Sequence, residues 1–281
     1  MTATPTTMPK IAPPFRQRRR TLVALLLLGL GAAVPIIASP IGRSASATGD
    51  RCAVPAELAL GGAALPQTAA RLASGGTLTI VALGSSSTEG VGASRPELTY
   101  PRRLAAILQE YLPRTPIRVI NRGVSGEMAE QMAARIDRDV VTEKPDLVIW
   151  QLGSNTVLRD GDIGAEIEIL RRGIARLKAA GADVMLMDLQ YAPAMLAHPG
   201  YREMLYALAG VAHSEDTAII HRFAMMRHWA EDGQMSLAAM LAPDRLHMSD
   251  ASYDCLARQV ARGIITDAGD RRYALAADRR S

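Results

Sequence analysis

The chain has 281 residues, 48% hydrophobic, 21% charged and 4% aromatic; this balance excludes a disordered or fibrous chain and allows one or two packed domains. Two cysteines exclude a disulfide-dense scaffold and a cysteine-rich zinc site. The formal charge of +4 sits at the N-terminus: residues 1–47 carry Lys10, Arg16, Arg18, Arg19, Arg20 and Arg43 and no acid, and without those six the chain keeps 26 basic against 28 acidic residues, so the body has no global attraction for nucleic acid.

Residues 1–47 read as an export signal. Arg16-Gln17-Arg18-Arg19-Arg20 is a basic opening, and an apolar run from Leu22 to Ala38 follows, interrupted by Pro35. Ser44-Ala45-Ser46-Ala47-Thr48 then offers small residues to a signal peptidase, most simply after Ala47. The apolar run, about 17 residues, is at the low end of a membrane span, so an uncleaved anchor through residues 22–38 is the alternative. In both cases the arginines stay on the inner side and the body lies outside the cytoplasm, periplasmic or extracellular. Membrane contact is then expected only through a retained leader. Cys52 opens the remaining chain and Cys255 lies near its end. In an oxidising compartment two lone cysteines pair, and this bridge would close a loop of about 200 residues, worth at most about 5 kcal/mol in the chain-entropy model. The alternative is two buried free thiols. No His cluster accompanies either cysteine, so no metal site is expected.

Residues 48–76 read as a lead-in to a domain over 77–268. Thr77–Leu83 is a β-rich apolar run ending at Gly84, and Tyr100-Pro101 opens a helix, Pro being accepted in a first turn. Leu104, Leu108 and Leu112 give that helix a buried face. Ile117–Ile120 is a second strand. Met128, Met132, Ile136 and Val140 recur every four residues, as on one helix face. Asp146–Leu152 is a third strand, with Trp150 packed in it. Ile163, Ile167, Leu170, Ile174 and Leu177 form the stripe of an amphipathic helix that Gly181 ends. Val184–Leu189 and Ala218–His221 are the fourth and fifth strands. A last helix spans Asp250–Thr266, with Leu256, Val260 and Ile264 on one side and Asp250 as its expected cap. Residues 190–250 show the weakest periodicity and are expected to carry selectivity loops such as Tyr191–Tyr201. Residues 269–281 read as a charged tail. Strands alternating with helices predict one α/β/α sandwich on a parallel sheet, and the apolar runs of strands 1, 3 and 4 fit a sheet covered on both faces.

Function in such sheets collects at the carboxyl ends of the strands. Gly84-Ser85-Ser86-Ser87-Thr88-Glu89-Gly90 follows strand 1, Asn121-Arg122-Gly123-Val124-Ser125-Gly126 strand 2, and Gly153-Ser154-Asn155 strand 3; Asp244-Arg245-Leu246-His247 precedes the last helix. A serine hydroxyl becomes a nucleophile when a base takes its proton, and a neutral imidazole suits that task. A carboxylate three residues before the His can hold its other ring nitrogen. Main-chain N–H groups and an amide can meet the negative charge of a tetrahedral intermediate, each worth about 3 kcal/mol.

These four blocks resemble, in order, those of the SGNH (GDSL-type) hydrolase superfamily. The stretch from Val81 to Gly90 is similar to the family's Gly-Asp-Ser-x-Thr-x-Gly, with Ser85 in place of the Asp, and Thr156 stands after Asn155 where the family often has Asp. The resemblance implies Ser86 as nucleophile, Asp244 and His247 as acid and base, and an oxyanion hole of the Ser86 N–H, Gly123 and Asn155. It further implies a three-layer, flavodoxin-like fold with five parallel strands in the order 2-1-3-4-5. The implied reaction is ester or acyl hydrolysis without cofactor or metal.

Simpler roles compete for each residue. Ser85 or Ser87 could be the reactive serine, Asn155 a turn residue or cap, and Asp244 a turn cap. His198, His213, His221 and His228 read as structural or surface groups, and the methionines as core filler. A flavin binder would need more aromatics, a phosphate loop needs a Lys that does not follow Gly90, and no Gly-x-Ser-x-Gly elbow is present. The reading is an exported serine esterase acting on a small-molecule or glycan ester through an acyl-enzyme on Ser86. Its alternatives are an O-acyltransferase on envelope glycans and a non-catalytic glycan-binding module.

Overall fold

The apolar run Leu78–Gly84 (β1) is buried along its whole length, as is Leu147–Gln151 (β3) and Asp183–Met187 (β4). Strands can be so only with layers on both faces. With Ile117–Gly123 (β2) and Ala218–Ile220 (β5) they form, among the described residues, a five-stranded sheet in the order β2-β1-β3-β4-β5. All neighbours are parallel, with Gly84 opposite Gly123, Leu83 opposite Trp150 and Met187 opposite Ile220. This computed structural model describes residues 50–59 and 62–269. The expected export signal and nearly all of the charged tail lie outside them.

Pro66–Ser74 (α1) precedes β1; Tyr100–Tyr111 (α2), Ala129–Ala134 (α3), Ile163–Ala179 (α4) and Gly200–Ser214 (α5) occupy the crossovers; Arg222–Glu231 (α6) and Asp250–Asp267 (α7) follow β5. α2 packs on α7, and α4 packs on α3 and α5, so the sheet is sandwiched. Gly173 lets α4 approach β3: a Cβ there would lie 2.3 Å from the Trp150 ring. The lead-in joins the same core. Leu65 is buried, and the Asp183 carboxylate of β4 accepts from the N–H of Gln67 (3.2 Å) and from the N–H (2.8 Å) and hydroxyl (2.9 Å) of Thr68. That long-range cap replaces the side-chain cap α1 lacks. Cys52 and Cys255 are disulfide-bonded across 203 positions of sequence, tying the lead-in to α7. Among the described residues no helix is long and apolar enough to cross a membrane.

Three local expectations change. The stripe from Met128 to Val140 is not one helix: α3 stops at Arg135, and Ile136–Asp139 starts again. At the break the Arg135 side chain, 7% exposed, turns inward and donates to Glu127 and to the Arg122 carbonyl. Ser249, not Asp250, caps α7, its hydroxyl accepting from the Ser252 N–H. Asp250 is drawn instead to Ser94, accepting from its N–H (2.8 Å) and hydroxyl (2.6 Å). The stretch 190–250 is also more regular than its periodicity indicates, since it holds α5 and α6.

Candidate active site

The chain leaves β1 at Gly84 and turns at once into the short helix Ser86–Glu89. One acceptor organises that turn. Gln151 Oε1, at the end of β3, accepts from the Ser85 N–H (3.0 Å), the Ser85 hydroxyl (3.2 Å) and the Thr88 hydroxyl (3.1 Å). Any Cβ at Gly84 would lie 2.2 Å from Thr88 Oγ1 and 2.8 Å from Gln151 Oε1, so only glycine fits. From β2, Asn121 Nδ2 donates to the Thr88 carbonyl at 2.8 Å. The outcome separates the three serines. Ser85 and Ser87 are 3% and 2% exposed, whereas Ser86 is half-buried at the sheet edge.

The second arm comes from the turn before α7. Leu241 and Met248 form an antiparallel bridge, and the Ala242 N–H donates to the His247 carbonyl at 2.8 Å. Asp244 Oδ1 accepts from the N–H groups of Leu246 and His247, both at 3.0 Å. Asp244 Oδ2 lies 2.6 Å from His247 Nδ1, and His247 Nε2 lies 2.8 Å from Ser86 Oγ, 161 positions away in sequence. Burial works to raise the Asp244 pKa, but the hydrogen bonds from the His247 ring and the two N–H groups outweigh it and hold the carboxyl below its usual range. An ionised Asp244 requires the proton on Nδ1 and leaves Nε2 as an acceptor for the Ser86 hydroxyl. His198, His221 and His228 instead face Asp160, Asp188 and Asp232.

Asn155 lies in the short helix Ser154–Leu158 after β3, and its Nδ2 donates to the Glu127 carbonyl at 2.8 Å. One amide hydrogen is left for a ligand. Gly123 behaves differently from expectation. Its N–H donates to Asn121 Oδ1 at 2.8 Å, and a Cβ there would lie 2.0 Å from the Glu89 nitrogen, so it is packed beneath the nucleophile turn with its donor engaged. The same block holds a second glycine, Gly126. It lies in the loop between Ser125, whose N–H donates to Glu89 at 2.9 Å, and Glu127, which holds Asn155. The Gly126 N–H has no hydrogen-bond partner among the described residues, and φ there is 83°. Of the two glycines in the block from Asn121 to Glu127, Gly123 has its N–H taken by Asn121, two positions before it.

A buried layer supports these loops. Arg135 grips both Glu127 oxygens, with Nη2 2.6 Å from Oε2, and donates to the Arg122 carbonyl at 2.8 Å. Thr156 donates to Glu166 of α4, a buried carboxyl whose pKa burial raises against that bond and the N–H groups of Gly153 and Ala129. Ser154 donates to Gln190 Oε1 (2.7 Å), which also accepts from Arg222 (3.0 Å). Beside the Asp244 turn opens a largely apolar hollow of about 590 Å³ lined by Pro193, Leu237, Leu241, Ala242, Pro243 and Arg245. Among the described residues no group of three or more His, Cys, Asp or Glu is placed to hold a metal ion.

The chain is similar to known esterases in sequence and in fold. The chain is 28% identical over 204 residues to an acetylxylan esterase of Geobacillus stearothermophilus, covering 65% of this chain and 91% of that protein. It is 30% identical over 145 residues to esterase TesA of Pseudomonas aeruginosa, covering 51% and 67%. A two-domain esterase active on acetylated mannans has the same fold, with a TM-score of 0.62 at 19% identity over 74% of this chain. The chain spans only about half (54%) of that two-domain protein. The model of the non-GDSL lipase-like family matches residues 51–270, and the chain belongs to that family.

Proposed function

We propose that this chain is an exported serine esterase that hydrolyses acyl or acetyl esters through a covalent acyl-enzyme on Ser86. The observation that carries the reading is the continuous line from Asp244 Oδ2 to His247 Nδ1 (2.6 Å) and from Nε2 to Ser86 Oγ (2.8 Å). His247 takes the hydroxyl proton as Ser86 attacks the carbonyl, and Asp244 stabilises the imidazolium. The Ser86 and Gly126 N–H groups and the remaining Asn155 amide hydrogen meet the oxyanion. Collapse expels the alcohol, which receives the proton from His247. Water then adds to the acyl group, His247 takes its proton, and the acid leaves with Ser86 restored.

The names of the relatives support a carboxylic ester hydrolase, and two of them, acting on acetylated xylan and acetylated mannans, favour O-acetylated glycans or small acetyl esters as substrates. Export is supported by the basic and apolar pattern of residues 1–47 and by the Cys52–Cys255 bond. Ser86→Ala is the test: on an aryl acetate and on acetylated xylan it is expected to remove turnover while the folded circular-dichroism spectrum persists. Turnover equal to that of the parent would reject the mechanism.

A further inference from the structure

The chain has two Phe, two Trp and seven Tyr, and three of these rings touch one another at the far end of the sheet edge. Phe223, just after β5, stacks with Tyr201 at 5.4 Å and 20°, and meets Tyr191, after β4, edge-on at 5.3 Å. The Arg202 guanidinium lies 5.5 Å over the Tyr201 ring. Tyr206 stands on α5 beside them, 80% exposed. Tyr201, Arg202, Tyr206 and Phe223 border a hollow of about 350 Å³ between α5 and α6, with Asp188 and His221 also lining it. Asp188 is 4% exposed. Its Oδ1 accepts from the Phe223 N–H at 2.9 Å, while Oδ2 meets His221 Nδ1 only at 3.7 Å, beyond hydrogen-bond length. One buried carboxylate oxygen therefore keeps acceptor capacity inside the hollow.

Aromatic faces with a polar rim and a few convergent polar groups are what an amphipathic ring ligand needs. A pyranose ring offers an apolar C–H face to tyrosine and a belt of hydroxyls to carboxylate, imidazole and guanidinium. The position also matters. β5 is three strands from β1, about 14 Å across the sheet at the usual strand spacing. The two regions are linked through Arg222, Gln190 and Ser154, the residue before Asn155.

We propose that the hollow bounded by Tyr201, Tyr206 and Phe223, with Asp188 at its floor, binds a sugar ring of a neutral glycan chain a few units away from the ester being cleaved. The inference rests on the reading of the chain as an esterase of glycan esters. It makes the enzyme a reader of chain length: short substrates reach Ser86 alone, and longer ones also occupy the hollow.

Two measurements test it. Deacetylated xylopentaose and mannopentaose are titrated by calorimetry into Ser86→Ala, with and without Tyr206→Ala. Saturable binding of at least one, weakened about tenfold or more by the second substitution, is expected. Absence of saturable binding by both sugars, or equal binding with and without Tyr206, overturns the proposal. In parallel, kcat/KM is compared for acetylated disaccharides and hexasaccharides. The long-over-short ratio is expected to exceed one in the parent and to collapse in Tyr206→Ala, and an unchanged ratio overturns the proposal. Should the parent hydrolyse no ester at all, the esterase reading fails, and the titration still decides the fate of the hollow.

Discussion

Asn155 Nδ2 and the carbonyl oxygen of Glu127 lie 2.8 Å apart. That bond fixes the plane of the amide before any substrate arrives, and in the proposed mechanism the second hydrogen is the one that meets the developing oxyanion. Asn155→Ala is expected to lower kcat by about 10²–10³, with KM changing far less, because the lost interaction belongs to the transition state. Asn155→Asp is expected to be at least as damaging, since a carboxylate cannot donate to the Glu127 carbonyl or to an oxyanion. Initial rates on an aryl acetate check both, and a large rise in KM at constant kcat would instead assign Asn155 to ground-state binding.

Arg135 anchors the loop that holds Asn155, through Glu127 and the Arg122 carbonyl. It is 7% exposed and its partner Glu127 15%, so removing the guanidinium leaves a carboxylate and the Arg122 carbonyl unpaired in a dry environment. Arg135→Ala is expected to destabilise the fold by about 3–5 kcal/mol, measured by urea unfolding. Arg135→Lys is expected to recover only part of this, because a point charge cannot span both carboxylate oxygens and the carbonyl. Recovery to parent stability by lysine would show that charge alone matters.

How far the sequence foretells such features depends on the range of the interactions behind them. β1 and β3 are legible because a strand covered on both faces becomes a near-continuous apolar run, and the four post-strand blocks are legible because the parallel sheet carries them to one edge. The interruption at Arg135 is not. Met132, Ile136 and Val140 are all buried at helical spacing, yet the helix breaks at Arg135, whose side chain is held by the Glu127 carboxylate and the Arg122 carbonyl. Asp250 yields its expected capping role to Ser249 and bonds instead to Ser94, a partner 156 positions away. The hydrogen bond that engages the Gly123 N–H with Asn121 is likewise invisible in the motif's spacing. The helix α5, in contrast, has a readable stripe in Met204, Leu208 and Val211, all buried, diluted by Tyr206 and Gly210 on its other sides.

The disulfide closes the largest loop in the molecule, 203 positions. In the chain-entropy model a loop of that size contributes up to about 5 kcal/mol by restricting the unfolded chain. Cys52→Ser/Cys255→Ser is expected to lower Tm by several degrees in thermal unfolding, while aryl acetate turnover at 25 °C persists, since neither cysteine is in the catalytic line. A Tm equal to that of the parent would mean that the buried side chains around Cys52 hold the lead-in unaided.

Asp267, near the end of α7, gives the fold a pH dependence. Burial raises its pKa from 3.8 to about 6, and its Oδ2 has no partner among the described residues. The protonated form is favoured in the folded state, so the group is harmless below pH 4, where both states hold the proton. Stability is then lost as pH rises from about 4 through 6, because the unfolded chain ionises first. Asp267→Asn is expected to match the parent Tm at pH 4 and to exceed it at pH 7. The carboxyl is half-exposed, and solvent screening limits the gain to about 1 kcal/mol. A gain confined to acidic pH would reverse the assignment.

Gln151 draws three donors of the serine turn onto one oxygen, and it belongs to a different strand from the turn. The motif is therefore two-part. A designer grafting the decapeptide from Val81 to Gly90 into another parallel sheet would have to transplant the glutamine of the neighbouring strand with it, or the transplanted hydroxyl would lose its aim.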